Sequence, residues 1–238
     1  MERTFHHLPL VREARVTEKR PGGAPRFKPP EDPAAHARGL QSRLDATIRQ
    51  TAGDEGGFDE RRLFRFTVEK GFDPESLRHI SPEIEFVSQE QDEVVVAFVT
   101  SAALESFEAR LSSMIKGEKV KYKQVLYAIR GMDGWSKQDR QGWALRNQGV
   151  PEEAPFVLDV ELWPLEGRQD KRARLWEAFE QWLDESGINR LDSVKNAGLS
   201  LYRVQCDHGQ TERLLRHRDV RTVDLPPHFG LDVHLLRA

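Results

Sequence analysis

The side chains able to act as nucleophile, base or metal ligand fall into no recognisable catalytic or metal-binding motif in this sequence. The one cysteine, Cys206, ends the stretch LSLYRVQC. At a strand end a free thiol reads as a small core group. DHGQT (207–211) and DESG (184–187) offer an acid, an imidazole and a hydroxyl, the groups that make an acyl-transfer triad when geometry holds all three together. Both fragments have simpler readings. Asp207 and Gly209 sit where a turn enters a helix, an ordinary place for a capping Asp, and Gly187 stops a helix. No G-x-S-x-G or Gly-Thr-Ser segment supplies a nucleophile. His6 and His7 are adjacent, while His208 and His217 flank one short helix, too far apart to share a face as i,i+4 ligands do. They read as solvated. Gly131, Gly134 and Lys137 in GMDGWSK lack the strand–loop–helix frame and the Lys-Ser/Thr pair of a phosphate loop. They read as a plain loop. The expectation is a chain with no catalytic residue, no metal site and no cofactor.

Composition narrows the class further. The 238 residues suit one large domain or two small ones, and 32% are charged. At this size a fold buries roughly 70–75% of its unfolded surface and needs no staple. One cysteine excludes an internal disulfide and a four-cysteine zinc site, and a reducing compartment is the simpler fit. A net charge of -3 argues against a dedicated nucleic-acid binder. No apolar run reaches the length of a membrane span, and the N-terminus has no apolar signal core. A cytoplasmic location, away from any membrane, is expected.

The elements that would position any site fall into an arm and two similar halves. Residues 1–33 are rich in Pro, Arg and Gly and lack periodicity, so they read as an extended arm. Leu8, Leu10 and Val11 could dock there on another surface. A helix follows from Asp32, a plausible cap, with Leu40, Leu44 and Ile48 on one face, until Gly53, Gly56 and Gly57 break it. Residues 1–57 thus form arm and helix. From there the order is strand (RLFRFTVEK), short helix (DPESLRHI), strand (EIEFVSQEQ), strand (EVVVAFV), helix (SAALESFEARLSSMIKG) and a strand within KVKYKQVLYAIRGMDGW, to residue 134. The apolar run of EVVVAFV suggests a central strand. Residues 135–154 read as a loop. The same order returns over 155–227, as FVLDVELW, KRARLWEAFEQWLDESG, RLDSVKNA, LSLYRVQC, GQTERLLRHR and VRTVDL, and 228–238 form a tail. Two consecutive βαββαβ units predict an α+β fold of two tandem ferredoxin-like units. Helices would cover one face of each antiparallel sheet, behind the arm and first helix. The last strand would pair beside the first strand of the second unit.

Trp163, Trp176 and Trp182 fall at core spacings. Trp135 and Trp143, in the loop between units, are better candidates for an exposed contact surface. Tandem ferredoxin-like units also suit RNA-processing proteins, and Lys and Arg are dense in 11–28, 116–123 and 168–174. EVVVAFV, however, lacks the basic-Gly-aromatic lead-in of an RNA-reading strand. Nucleic-acid binding and a plain interaction scaffold stand as the alternatives.

The stretch LSLYRVQCDHGQTERLLRHRDVRTVDLPP resembles the end of the inhibitor propeptide of subtilisin-like serine proteases. It has a strand, then a helix ending in Leu214 and Leu215, then a strand carrying Val220, Val223 and Asp224. That propeptide is itself ferredoxin-like. FHHLPLVREA, RPGG and HARGLQSRLD are similar to the N-terminal region of large cytoplasmic bacterial subtilases, some encoded beside an ATPase and associated with phage defence. The catalytic Asp, His and Ser segments are absent from this chain. The resemblance therefore implies the non-catalytic N-terminal region of such a peptidase, acting as intramolecular chaperone, inhibitor or regulatory domain. Its partners would be a subtilisin-like catalytic domain, in cis or in trans, and an ATPase. It further implies that Pro226 and Pro227 aim the tail into the protease cleft, where Leu231, Val233, Leu235 and Leu236 would fill pockets while the backbone pairs as a strand.

Overall fold

The computed structural model describes residues 27–90, 92–98, 100–165 and 169–227. The first helix, α1 (Pro33–Gln50), starts as expected: Asp32 accepts from the amides of Ala34 and Ala35, and proline stands in its first turn. The first unit runs β1 (Arg62–Val68), a 3-10 turn (Pro74–His79), β2 (Ile84–Glu90), β3 (Glu93–Phe98), α2 (Ser101–Ile115), α3 (Lys123–Ala128) and β4 (Ile129–Gly134). Its strands pair antiparallel in the order β2-β3-β1-β4, so β3 is central.

This sheet needs a cover, and its first crossover is too short to provide one. The 3-10 turn buries only Leu77. The N-terminal helix fills the gap. α1 lies beside α2 and over β4, and Leu40 and Leu44 join Phe107 and Leu111 against Phe64, Phe66, Val96 and Phe98 of the sheet. The rings of Phe66 and Phe107 stack at 5.8 Å. α1 is thus a structural part of the first unit. Its end crosses β4 so closely that a Cβ on Gly134 would lie 2.9 Å from the Thr51 methyl.

The second unit repeats the order with β5 (Phe156–Leu162), α5 (Gln169–Glu185), β6 (Asn189–Lys195), β7 (Ser200–Cys206), α6 (His208–Leu214) and β8 (Val220–Asp224). Its antiparallel strand order is β6-β7-β5-β8, and β8 pairs with β5 as the element order required. Strict alternation in β5 and β7 sends Phe156, Leu158, Val160, Tyr202 and Val204 inward, against Leu175, Phe179 and Leu183 of α5. Asp207 and Gln210 form a reciprocal capping box at α6, which accounts for the acid of DHGQT.

Two expectations are corrected. Residues 135–154 do not form a plain loop: α4 (Trp143–Gln148) lies within them and packs on β8. The strand expected within KVKYKQVLYAIRGMDGW is β4, which begins at Ile129 after the short helix α3, whose Val125, Leu126, Tyr127 and Ala128 are all buried. Gly131 and Gly134 then belong to β4, and at Gly134 the close approach of Thr47 and Thr51 at the end of α1 leaves no room for a side chain.

Candidate functional site

Two surfaces compete for a functional reading: the seam between the units and the outward face of the second sheet. The seam is built on the outward face of the first sheet. Leu63, Val95 and Ala97 point away from the helices and are closed over by Trp163, with Trp135 beside it. The two indoles meet edge to face at 4.9 Å. Trp135 is therefore not the exposed contact expected of it. It is half-buried, and its indole donates to the Arg221 carbonyl at 3.2 Å.

Two connectors, the one from α1 to β1 and the one between the units, lie on residues 216–224. The connector after α1 pairs at Glu55 with His217, exchanging backbone bonds with Arg216 and Arg218, both at 3.0 Å. The later connector pairs at Gln141 with Val223: Gly142 donates to the Val223 carbonyl (2.8 Å), and Val223 donates to that of Arg140 (2.7 Å). β8 is an edge strand by topology, yet its free side is occupied in cis.

Arg140 ties these pieces together. Its side chain is 2% exposed and donates to Val220 O (3.2 Å), Trp135 O (2.8 Å) and Asp54 Oδ2 (2.9 Å). Burial pushes the Asp54 carboxyl above its usual range even with this guanidinium beside it. His217, expected to be solvated, is 1% exposed between Phe179, Trp182 and Gly56. Burial first, then the charges of Arg140, Arg218 and Arg213, push its imidazole down to about 3. Its Nδ1 accepts from the Asp219 amide at 3.2 Å, so the proton of the neutral ring sits on Nε2. Gly56 has φ +66, and an added Cβ would meet Nε2 at 2.3 Å, so only glycine fits against the ring. Asp219 is 2% exposed and accepts from the Phe58 amide at 2.9 Å. Burial pushes it up to about 6 against the pull of that bond, Arg61 and Arg218. Among the described residues, His217 Nε2 and Asp219 Oδ1 are buried without a hydrogen-bond partner, and a cavity of about 100 Å³ is bordered by Asp54, Arg61 and Arg140. The seam holds the units together.

The residues of the propeptide-like motif divide by role. Leu214, Leu215, Val220 and Val223 are fully buried in the core of the second unit. Asp224 caps α4, accepting from Leu145 N at 2.7 Å and Ala144 N at 3.4 Å. Pro226 is half-buried and Pro227 exposed where the chain leaves the sheet. Leu231, Val233, Leu235 and Leu236 lie outside the described residues. The motif is thus gathered around β8, but as core and cap. Cys206 is buried beside the Thr211 hydroxyl at 3.5 Å, and burial pushes its thiol up, away from reactivity.

The outward face of the second sheet is the larger open surface. Across β5, β7 and β6 it presents Val157 beside Gln205, Asp159 beside Arg203, and Leu201 beside Val194. Arg203 grips Asp159 with two bonds of 2.8 Å. Val194 and Leu191, the latter in the bulge of β6, are 47% and 48% exposed. The seam takes only the Trp163 end of this face. Trp143, at the start of α4, is 76% exposed, so one of the two expected contact tryptophans is on the surface. Sequence reasoning missed Arg140, Arg61, His217 and Asp219. The signal available was a cluster of charges in RHRD next to a strand whose alternation called for burial.

Residues 34–136 match the family model of the Y4kK N-terminal domain, and residues 139–225 match that of the Y4kK central domain. The uncharacterized protein y4kK of Sinorhizobium fredii is 23% identical over 240 residues, spanning 95% of this chain and 76% of that protein. No solved structure matches. Among the described residues, no helix is long and apolar enough to cross a membrane.

Proposed function

From a chain whose two units match the Y4kK N-terminal and central domains, we propose that it is the non-catalytic N-terminal region of a subtilisin-like serine peptidase. In this reading the second unit acts as chaperone, inhibitor or regulatory domain of the catalytic domain. The observation that carries it is the asymmetry of the two sheets. The outward face of the first is sealed at Leu63, Val95 and Ala97, while that of the second stays open around Val157, Leu201 and Val194. A preformed, half-apolar sheet face is a docking platform that costs little ordering on binding. Its ion pairs between strands hold the polar side chains in place beforehand.

The direction of the chain supports the second half of the reading. β8 is pinned on both sides, by β5 and by the connector at Gln141, so its end is a rigid point of departure. Residues 226–238 would leave from there and lie extended in the protease cleft, pairing as a strand. Tethering to the docked face raises their effective concentration, so modest cleft contacts suffice to inhibit. The Asp, His and Ser of the reaction come from the partner, and this chain performs no bond cleavage. A cytoplasmic location and an ATPase partner belong to the same proposal.

The test is co-purification with a subtilisin-like catalytic domain and inhibition of its peptide hydrolysis. The full chain is expected to bind and inhibit. Deletion of 226–238 should keep binding and lose most inhibition, and Leu201→Asp with Val194→Asp should lose both. Absence of binding, together with no effect of the deletion, refutes the reading.

A further inference from the structure

The loop between α2 and α3, GEKVKYK (117–123), carries the most unusual surface residue of the molecule. Tyr122 has φ 58 and ψ 25, the one non-glycine residue with positive φ among those described. A bulky side chain rarely occupies that left-handed state, and such residues gather where a ring must be held in a set direction. The Tyr122 ring stacks on His79 with centroids 4.6 Å apart and planes 11° from parallel, yet remains 53% exposed. His79 covers one side, and the exposed remainder faces solvent.

The stack is built by a clamp. Arg110 of α2 donates through Nη1 to the Lys121 carbonyl at 3.1 Å, and through Nη2 to the carbonyls of His79 (3.3 Å) and Ile80 (3.2 Å). One guanidinium thus fastens two loops distant in sequence and brings their rings together. In the segment that carries Tyr122, residues 116–123, Lys116, Lys119, Lys121 and Lys123 are all exposed, with Glu118 the one acid among them. None of the four lysines is in an ion pair among the described residues.

We infer that the His79–Tyr122 stack, in a segment bearing the exposed Lys116, Lys119, Lys121 and Lys123, binds single-stranded nucleic acid, with a base on the free ring and the phosphates on the lysines. An aromatic platform beside a cationic track is how sequence-tolerant single-strand binding is achieved. A duplex keeps its bases stacked and offers none to the ring. The chain's net charge of -3, read above as against nucleic acid, does not reach this loop, because charges beyond about 8 Å are screened at physiological salt. An anionic membrane fits less well. The one aliphatic of the loop, Val120, is half-buried against the core, leaving no apolar wedge beside Tyr122.

The test uses the whole chain and fluorescence anisotropy with labelled dT20 and rU20, a blunt 20-base-pair duplex, and phosphatidylserine vesicles. Either single strand is expected to bind better than the duplex. Binding should weaken with salt, and the combined Lys119→Gln, Lys121→Gln, Lys123→Gln variant should lower the log–log salt slope by about 2, at ~0.7 per lost phosphate contact. Tyr122→Asn suits the left-handed backbone and keeps the fold. It should weaken single-strand binding about ten-fold or more while leaving the salt slope unchanged. The inference is overturned by no single-strand binding at low salt, by equal duplex binding, by vesicle binding alone, or by no effect of Tyr122→Asn.

Discussion

Replacing Arg140 by alanine should cost more stability than any surface substitution in this protein, and the cost should depend on pH. The buried guanidinium satisfies the carbonyls of Val220 and Trp135 and pairs with Asp54, whose side chain is 15% exposed. Alanine leaves two carbonyls without that donor and a carboxylate without its cation. Breaking one partner out of a buried pair costs about 3–5 kcal/mol. In a chain of this length that corresponds to a melting temperature lower by about 6–20 °C. Burial already raises the Asp54 pKa with Arg140 present, and losing the cation raises it further. A carboxyl with a raised folded pKa destabilises the fold when ionised, so the deficit is fullest at neutral pH. It shrinks as pH falls through that pKa, toward the roughly 2 kcal/mol that remains for the unsatisfied carbonyls.

The assay is urea unfolding at pH 7.5 and 4.5, followed by tryptophan fluorescence, since Trp135 and Trp163 sit at the seam. Loss of the clamp should also let the units unfold in separate steps, seen as a broadened or split transition. The pair Arg140→Met with Asp54→Leu should recover most of the loss, because it removes both charges together. A cost of Arg140→Ala below about 1 kcal/mol at neutral pH, or an equal cost at both pH values, refutes the assignment of Arg140 as the clamp.

Two further outcomes follow from the same region. Asp219, held up to about 6 by burial, has a folded pKa above its unfolded one. The wild-type stability it contributes is therefore full below about pH 4 and lost as pH rises through about 6, with a span of roughly 3 kcal/mol. Asp219→Asn should flatten that slope, and parallel urea midpoints for both proteins from pH 4.5 to 7.5 would count against it. Gly142→Ala should cost about 1–3 kcal/mol, because the new Cβ would lie 2.3 Å from the Asp224 carboxyl that caps α4. Its backbone, at φ -67, is otherwise ordinary, so a thermal shift under about 1 °C would mean the neighbour yields freely.

Much of the fold was legible in the sequence because its signals are local. Asp32, Asp73 and Asp207 announce helix starts within a turn of themselves. The alternation of FVLDVELW marks an inward face without reference to anything distant. The repeated element order then placed β8 beside β5. The short helix α4 was missed because its burial rests on Leu145 alone, too little for a periodic signal. His217 read as solvated because a histidine among arginines looks like surface. It is buried by Trp182 and by Gly56, a residue that lies far away in the chain. The candidate site divides the same way: VRTVDLPP was visible as a closing strand, but nothing in it revealed which of its groups the connectors would cover.

The sequence by itself determined two βαββαβ units and their caps, since propensity, periodicity and capping act over a few residues. Tertiary structure alone decided that α1 completes the layer over the first sheet, that Arg140 locks both connectors to β8, and that one sheet face is sealed while the other stays open. Those outcomes depend on which faces meet when the two units dock. A face reads as half-buried in sequence whether its cover is solvent, a helix or a tryptophan from the other unit.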